Sequence, residues 1–337
     1  MKKTLVALAA IAAVGGASAQ VTMYGLIDTS VAFNDVAGVS TVTMNSGAMQ
    51  GSRWGLRGTE DLGGGLTARF VLEGGIDSST AEMGQSTAAL LPKIFGREAN
   101  ATIAGPFGSL TVGRQYTPTD KTLGIDAAGA QGIGGGGTFY SVHTANYAQI
   151  DTVGTGRQDN SINYSLPAMG GVVGNVMVGL DESSTTIQQP RKYVGFNVGY
   201  SAGNLALQLG SDQVTATNAA ASDTGWIAGI NYNLGAAKVS AIFSGGTSAA
   251  NQADSGWALG TGIPMGATLI QLSYARETSR VNNATADIVT SGFGGNVAYS
   301  LSKRTDVYAS YLNREDVSAA NVSSKRTFLA TGLRHRF

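Results

Sequence analysis

GSRWGLRGTEDLGGGLTARFVLEGGID, residues 51–77, is the stretch whose reading decides the fold. Taking every second residue puts Arg53, Arg57, Arg69 and Glu73 on one face and Trp54, Leu56, Ala68, Phe70 and Leu72 on the other. Period-two alternation of this kind marks half-buried strands, and Gly63-Gly64-Gly65 is a tight connection between two of them. A soluble sandwich would bury the apolar face in a core and turn the polar face to water. A membrane barrel would turn the apolar face to lipid and line a lumen with the polar one.

The rest of the chain favours the barrel. Its 337 residues include 48 Gly and no Cys, and only 13% are charged, against roughly a quarter in soluble domains. The formal net charge is zero, which gives no electrostatic reason to expect a nucleic-acid partner. Without Cys there are no thiolate metal sites, thiol nucleophiles or disulfides. Lys2-Lys3, the apolar run from Leu5 to Val14 and Ala17-Ser18-Ala19 read as a secretory signal peptide over residues 1–19, too short in its apolar part to be a membrane span. The barrel domain is then 20–337, and removing two lysines from 22 basic residues leaves 20 against 22 acidic ones.

Alternation recurs along the whole of that domain. Ile162, Tyr164 and Leu166 alternate with Ser161, Asn163 and Ser165; Val194, Phe196, Val198 and Tyr200 oppose Gly195, Asn197 and Gly199; Ile270, Leu272 and Tyr274 oppose Gln271 and Ser273. Each run has the length, about ten residues, that a tilted strand needs to cross a bilayer. Short connectors (63–65, 105–108, 167–171, 202–204, 234–236, 263–266, 301–304) take turns with long polar ones (34–50, 77–93, 118–155, 181–190, 215–222, 247–254, 279–287, 317–324). Short turns on one side and long loops on the other are the outer-membrane arrangement, and seven turns with eight loops join sixteen antiparallel strands that close with no free edge. At the end of the chain Leu333, His335 and Phe337 share a face, and an alternating last strand with terminal Phe resembles the signal read by the outer-membrane assembly machinery.

Enzyme chemistry finds little footing. His143 falls in a loop and His335 in the last strand; neither sits in a metal-binding spacing, and no G-x-S-x-G elbow is present. No metal and no cofactor are expected. A Ser–His–Asp site assembled in space remains open as an outer-membrane enzyme of lipase or protease type, and a barrel with a plugged lumen remains open as a structural protein. The longest loop, 118–155, is rich in small residues, and a structureless loop of that length is functional or disordered. Such a chain is able to fold back into a polar lumen, where irregular backbone is tolerated.

SRWGLRGTEDLGGGL, GPFGSLTVGRQYTP, RQDNSINYSLPAMGG and the terminal GLRHRF resemble the Gram-negative general porins, the branch found in beta-proteobacteria. The resemblance implies an outer-membrane, sixteen-stranded homotrimeric barrel whose third long loop folds inward and narrows a water-filled pore. It implies passive diffusion of ions and small hydrophilic solutes; within transport, a substrate-specific channel is the alternative reading. Partners implied are outer-membrane lipids, lipopolysaccharide and the assembly machinery. By motif, wall arginines of the constriction map onto Arg53, Arg114 and Arg157, with Arg57 and Arg97 as further members, and Asp120, Lys121 and Asp126 stand on the loop side. Strict alternation places Arg114 with Leu110 and Val112 on the apolar face, so its place in the pore requires a bulge at Gly113 or the end of the strand there. With so few acids on the loop, the narrowest point is expected to be net positive and modestly anion-selective; Asp35, Asp77 or Asp181 close to the vestibule would reverse that sign.

Overall fold

A computed structural model describes residues 20–84, 93–129, 156–180, 191–216, 222–248, 253–280 and 287–337. The signal segment, His143 and most of the longest loop lie outside the described residues. The strands are β1 (Gln20–Val36), β2 (Val39–Ser46), β3 (Arg53–Gly63), β4 (Leu66–Gly75), β5 (Glu98–Gly105) and β6 (Gly108–Tyr116). They continue with β7 (Arg157–Ser165), β8 (Val172–Gly179), β9 (Arg191–Ala202), β10 (Leu205–Ala216), β11 (Ser222–Asn233) and β12 (Lys238–Thr247). The last are β13 (Ala253–Met265), β14 (Thr268–Arg280), β15 (Ile288–Ser300), β16 (Thr305–Val317) and β17 (Ser323–Arg336). Between β6 and β7 a short helix, α1 (Pro118–Thr122), runs into a 3-10 turn, Leu123–Ile125.

All pairings are antiparallel, and β17 closes the sheet on β1 from Leu26↔Arg336 to Val36↔Arg326. The seventeen segments make sixteen staves, because β2 and β3 are two parts of one. The lower half of β1 pairs with β3 (Gln20↔Thr59 to Leu26↔Arg53) and its upper half with β2 (Thr29↔Ser46 to Val36↔Val39). Residues 34–50, expected as one long loop, are therefore mostly wall: β1 runs on to Val36, Ala37 and Gly38 make a tight turn with positive φ, and β2 descends from it. Thr and Val recur through 39–43, and β-branched residues suit a pleated wall; their polar members had read as loop. Likewise β13 continues through Pro264 to Met265, so the turn expected at 263–266 starts later.

Alternation holds as read. Met23, Val31, Val176, Phe196, Leu209, Ile230, Leu272, Tyr311 and Leu329 are exposed on the outside, while Asp28, Ser161, Asn163, Asn197, Ser273, Asn296 and Ser310 are buried inside. That inversion of the usual core is what a lipid-facing barrel requires, since lipid takes the apolar side chains and the lumen the polar ones.

Where β2 gives way to β3, two residues of β1, Ile27 and Asp28, stand opposite the six of 47–52. The six fold to the interior. Asp28 Oδ2 accepts the backbone N–H groups of Met49 (3.0 Å) and Gln50 (2.5 Å), and its Oδ1 accepts the Tyr308 hydroxyl (2.5 Å). Ala48 and Met49 pack with Ala32, Ala298, Tyr308, Leu312, Phe328 and Ala330, all interior positions of neighbouring strands. Serine hydroxyls mend the ladder at the gap: Ser52 and Ser78 both donate to the Asp28 carbonyl, and Ser46 supports both. Buried backbone groups left by the interruption thus keep partners, as they must.

Candidate pore constriction

Three strands bring the basic cluster together. Arg53 opens β3, Arg157 opens β7, and Arg97 immediately precedes β5. Glu73, 5% exposed on β4, accepts Arg97 Nε at 2.6 Å and lies 3.9 Å from Arg53 Nη1. Its second oxygen accepts the Tyr24 hydroxyl at 3.0 Å, and the Arg57 guanidinium sits 4.9 Å from the centre of the Tyr24 ring. The Tyr116 hydroxyl accepts from both Arg97 and Arg157, with the Arg157 guanidinium 4.0 Å from its ring centre. Arg53, Arg97 and Arg157 therefore form one group with Glu73 and Tyr116 as shared acceptors, and Arg57 extends it along β3.

Arg114 lies in electrostatic reach of Arg157 but donates its hydrogen bonds to Gly96 and Asp159. A register shift between Gly113 and Gln115 does interrupt β6 against β7, with Gly113 at φ +116° and Asn160 at φ +49° opposite. A bulge redirects side chains in this way. Arg114 is then spent locally: Nε donates to the Gly96 carbonyl at 2.7 Å and Nη1 to Asp159 at 2.6 Å, where Lys93 also arrives at 2.5 Å.

On the loop side, the Thr117 hydroxyl caps α1 by accepting the Asp120 N–H, an ordinary N-cap. The described part of the loop hydrogen-bonds to interior side chains of strands far from its root: Thr119 donates to Asp212 on β10, Asn231 on β11 to the Ile125 carbonyl, Ser240 on β12 to Asp126, and Gln271 on β14 to the Ala128 carbonyl. Leu123 and Ile125 pack on Ile227, Ile242, Ala258 and Ala275, each fully buried side chain of leucine or isoleucine size contributing about 1.5–3 kcal/mol. Glycines on the facing wall make the approach possible, since a Cβ at Gly210, Gly229 or Gly260 would collide with Thr122, Ile125 or Asp126.

Asp120 lies near enough to act electrostatically on both Arg157 and Lys121. Asp126 does not face the arginines; it is engaged by Ser240 and the Ala128 N–H, and enclosure by protein pushes its carboxyl above the usual aspartate range in spite of those bonds. Enclosure likewise holds the Lys121 ammonium below the ordinary lysine value, with Glu98 and Asp120 working against it. Sequence reasoning missed Glu98 and Tyr116 and gave Glu73 no role. Two signals were there to be read: Glu73 shares the polar face of Arg69, and Ile227 and Ile242 break the polar parity of the lumen where the loop docks. At the chain end, Leu333 and Phe337 are exposed on the outside, Phe337 pairs backbone to backbone with Gly25, and His335 Nδ1 shares a hydrogen bond with Thr305.

A sixteen-stave barrel with an apolar exterior and a charged interior defines a transmembrane β-barrel pore. The family model described as Gram-negative porin matches residues 4–318, and the chain belongs to that family. It is 33% identical over the whole of both chains to outer membrane porin protein 32 of Delftia acidovorans. It is also 33% identical to an outer membrane porin protein of Bordetella pertussis, over 65% of this chain and 61% of that one. Among solved structures, an anion-selective porin from Comamonas acidovorans superposes with a TM-score of 0.78 at 28% identity, covering 95% of this chain and all of that one. OmpT of Vibrio cholerae, in a trimer form, gives 0.71 at 16% identity over 95% and 100%. The protein is an outer-membrane porin, a diffusion channel of the Gram-negative cell surface.

Proposed function

We propose that the protein is a homotrimeric general-diffusion porin with a modest anion preference, whose constriction lies between the Arg53–Arg97–Arg157 group and the inward-folded loop. The observation that carries this is the charge count in the group linked by these contacts: Arg53, Arg57, Arg97, Arg157 and Lys121 against Glu73, Glu98 and Asp120. Cations outnumber carboxylates by five to three, and a narrow aqueous passage with such walls concentrates anions. Contacts of 117–129 with β10, β11, β12 and β14 support the loop's inward course, and the anion-selective relative supports the sign. Arg114 also acts electrostatically on Arg157 but is paired with Asp159, so the two together add no net charge to this count.

Trimer formation is supported by the exterior of β5, where Ala99 and Ala101 replace the large apolar residues of other staves. Residues 1–19 act as a removable export signal, and the face of Leu333, His335 and Phe337 as the assembly signal. Lipids and lipopolysaccharide surround the barrel. Porin relatives are channels, and neither a cofactor nor a covalent step is needed for this activity.

The test is the reversal potential of the purified protein in a planar bilayer under a tenfold KCl gradient. Conductance steps with a chloride-favouring potential are expected. Steps with a potassium-favouring potential would overturn the assigned sign, and absence of steps would overturn the open pore.

A further inference from the structure

Tyr116 ends β6 directly opposite Arg157 on β7, and its hydroxyl accepts from Nη2 of Arg97 and Nη2 of Arg157 together. Its ring also lies under both guanidiniums, 4.0 Å from Arg157 and 5.9 Å from Arg97, a cation–π geometry. Two like charges meeting at one oxygen repel; both side chains are buried, Glu73 holds Arg97 through Nε, and the phenol joins Arg157 to it through Nη2 of each. A carboxylate at this place would hold them and cancel one charge. A phenol holds them and cancels none.

We propose that Tyr116 is a positioning residue for ion selectivity: a neutral acceptor that keeps Arg97 and Arg157 side by side while leaving their charge available to passing anions. This rests on reading the arginine group as the constriction. It also gives a reason for the division of labour in the cluster. Glu73 balances the Arg53–Arg97 side, where its carboxylate is already committed to Tyr24 and Arg97, and Tyr116 carries the Arg97–Arg157 side without adding a second negative charge.

Three replacements separate the components. Tyr116→Phe keeps the ring and removes the acceptor, Tyr116→Gln keeps a neutral acceptor without the ring, and Tyr116→Glu keeps an acceptor with a charge. Each is reconstituted in planar bilayers at 0.1 M KCl, with folding checked by the heat-dependent gel shift of the barrel. For Tyr116→Phe the chloride-to-potassium permeability ratio should fall roughly twofold, as a fixed positive field becomes a mobile one, and open-channel current noise should rise. Tyr116→Gln should stay near the parent ratio, and Tyr116→Glu should fall below Tyr116→Phe. If Tyr116→Phe matches the parent in ratio and noise while Arg157→Gln shifts the ratio, the constriction stands and the role of Tyr116 is overturned. If neither shifts it, the constriction reading falls with it. Should Tyr116→Phe not fold, equal ratios for the Gln and Glu variants would overturn the proposal by themselves.

Discussion

Replacing Glu73 by Gln should make the pore more anion-selective. The amide keeps the shape: its one oxygen can still accept from Arg97 Nε, now 2.6 Å away, while its NH2 replaces the oxygen that accepts the Tyr24 hydroxyl at 3.0 Å and can only donate to that hydroxyl once it turns. The main change is therefore the loss of one negative charge among three guanidiniums. A unit charge about 8 Å from the ion path changes an ion's energy through water by about 0.5 kcal/mol, close to RT. Local anion concentration should then rise about twofold and cation concentration fall about twofold, raising the permeability ratio about fourfold. Salt decides where this is visible: the screening length is about 10 Å at 0.1 M and about 3 Å at 1 M. The reversal potential under a fixed concentration ratio should therefore shift strongly around 0.1 M and little around 1 M. The side chains of Glu73 and Arg97 are each 7% exposed, and breaking a buried pair costs about 3–5 kcal/mol. Because the amide oxygen retains the Arg97 contact, the lower end is expected, read as a lower temperature for the heat-dependent gel shift. An unchanged reversal potential at 0.1 M from folded barrels would refute the reasoning, since Glu73 would then not act on the ion path.

Acidification should strengthen anion preference through Asp126. Its carboxyl titrates above the ordinary aspartate range because protein encloses it, so falling pH neutralises it before ordinary surface aspartates and removes a negative charge from the lumen; Asp126→Asn should reduce the shift, measured as reversal potential against pH. The same displacement makes protonation favour the folded loop: that stability is fully present below the unfolded aspartate pKa and is lost as pH rises through the raised folded value. Asp28→Ala should lower barrel stability by about 2–4 kcal/mol, because the buried donors of Met49, Gln50 and Tyr308 lose a charged acceptor at once. Urea unfolding in detergent measures it, and a loss below about 0.5 kcal/mol, within the ordinary effect of surface changes, would contradict the role given to Asp28.

The staves were legible because side-chain alternation is a property of a few consecutive residues, and Arg53, Arg57 and Glu73 declared their common face through it. What escaped reading depends on partners far along the chain. The inward course of 47–52 is fixed by Asp28, some twenty residues earlier, and by Tyr308 on β16, and a run of small polar residues looks the same as a loop or as a fold of the wall. Arg114 needed the positive φ of Gly113 and Asn160 across two strands before its direction was defined. The acceptors of the arginine group were hidden for a related reason. Glu73 and Tyr116 belong to different strands from the cations they hold, and only the register brings them together.

The interruption between β2 and β3 separates the scaffold from the bore. Strand register on either side is set independently, by Thr29↔Ser46 above and Leu26↔Arg53 below, so residues added or removed within 47–52 change how far chain projects inward without shifting any hydrogen-bonded pair. Variation there offers lineages, or protein engineers, a way to alter the width of the passage while the membrane-embedded wall stays as it is. A short peptide tag or fluorophore-bearing residue placed in the same six positions would report from inside the channel rather than from its mouth.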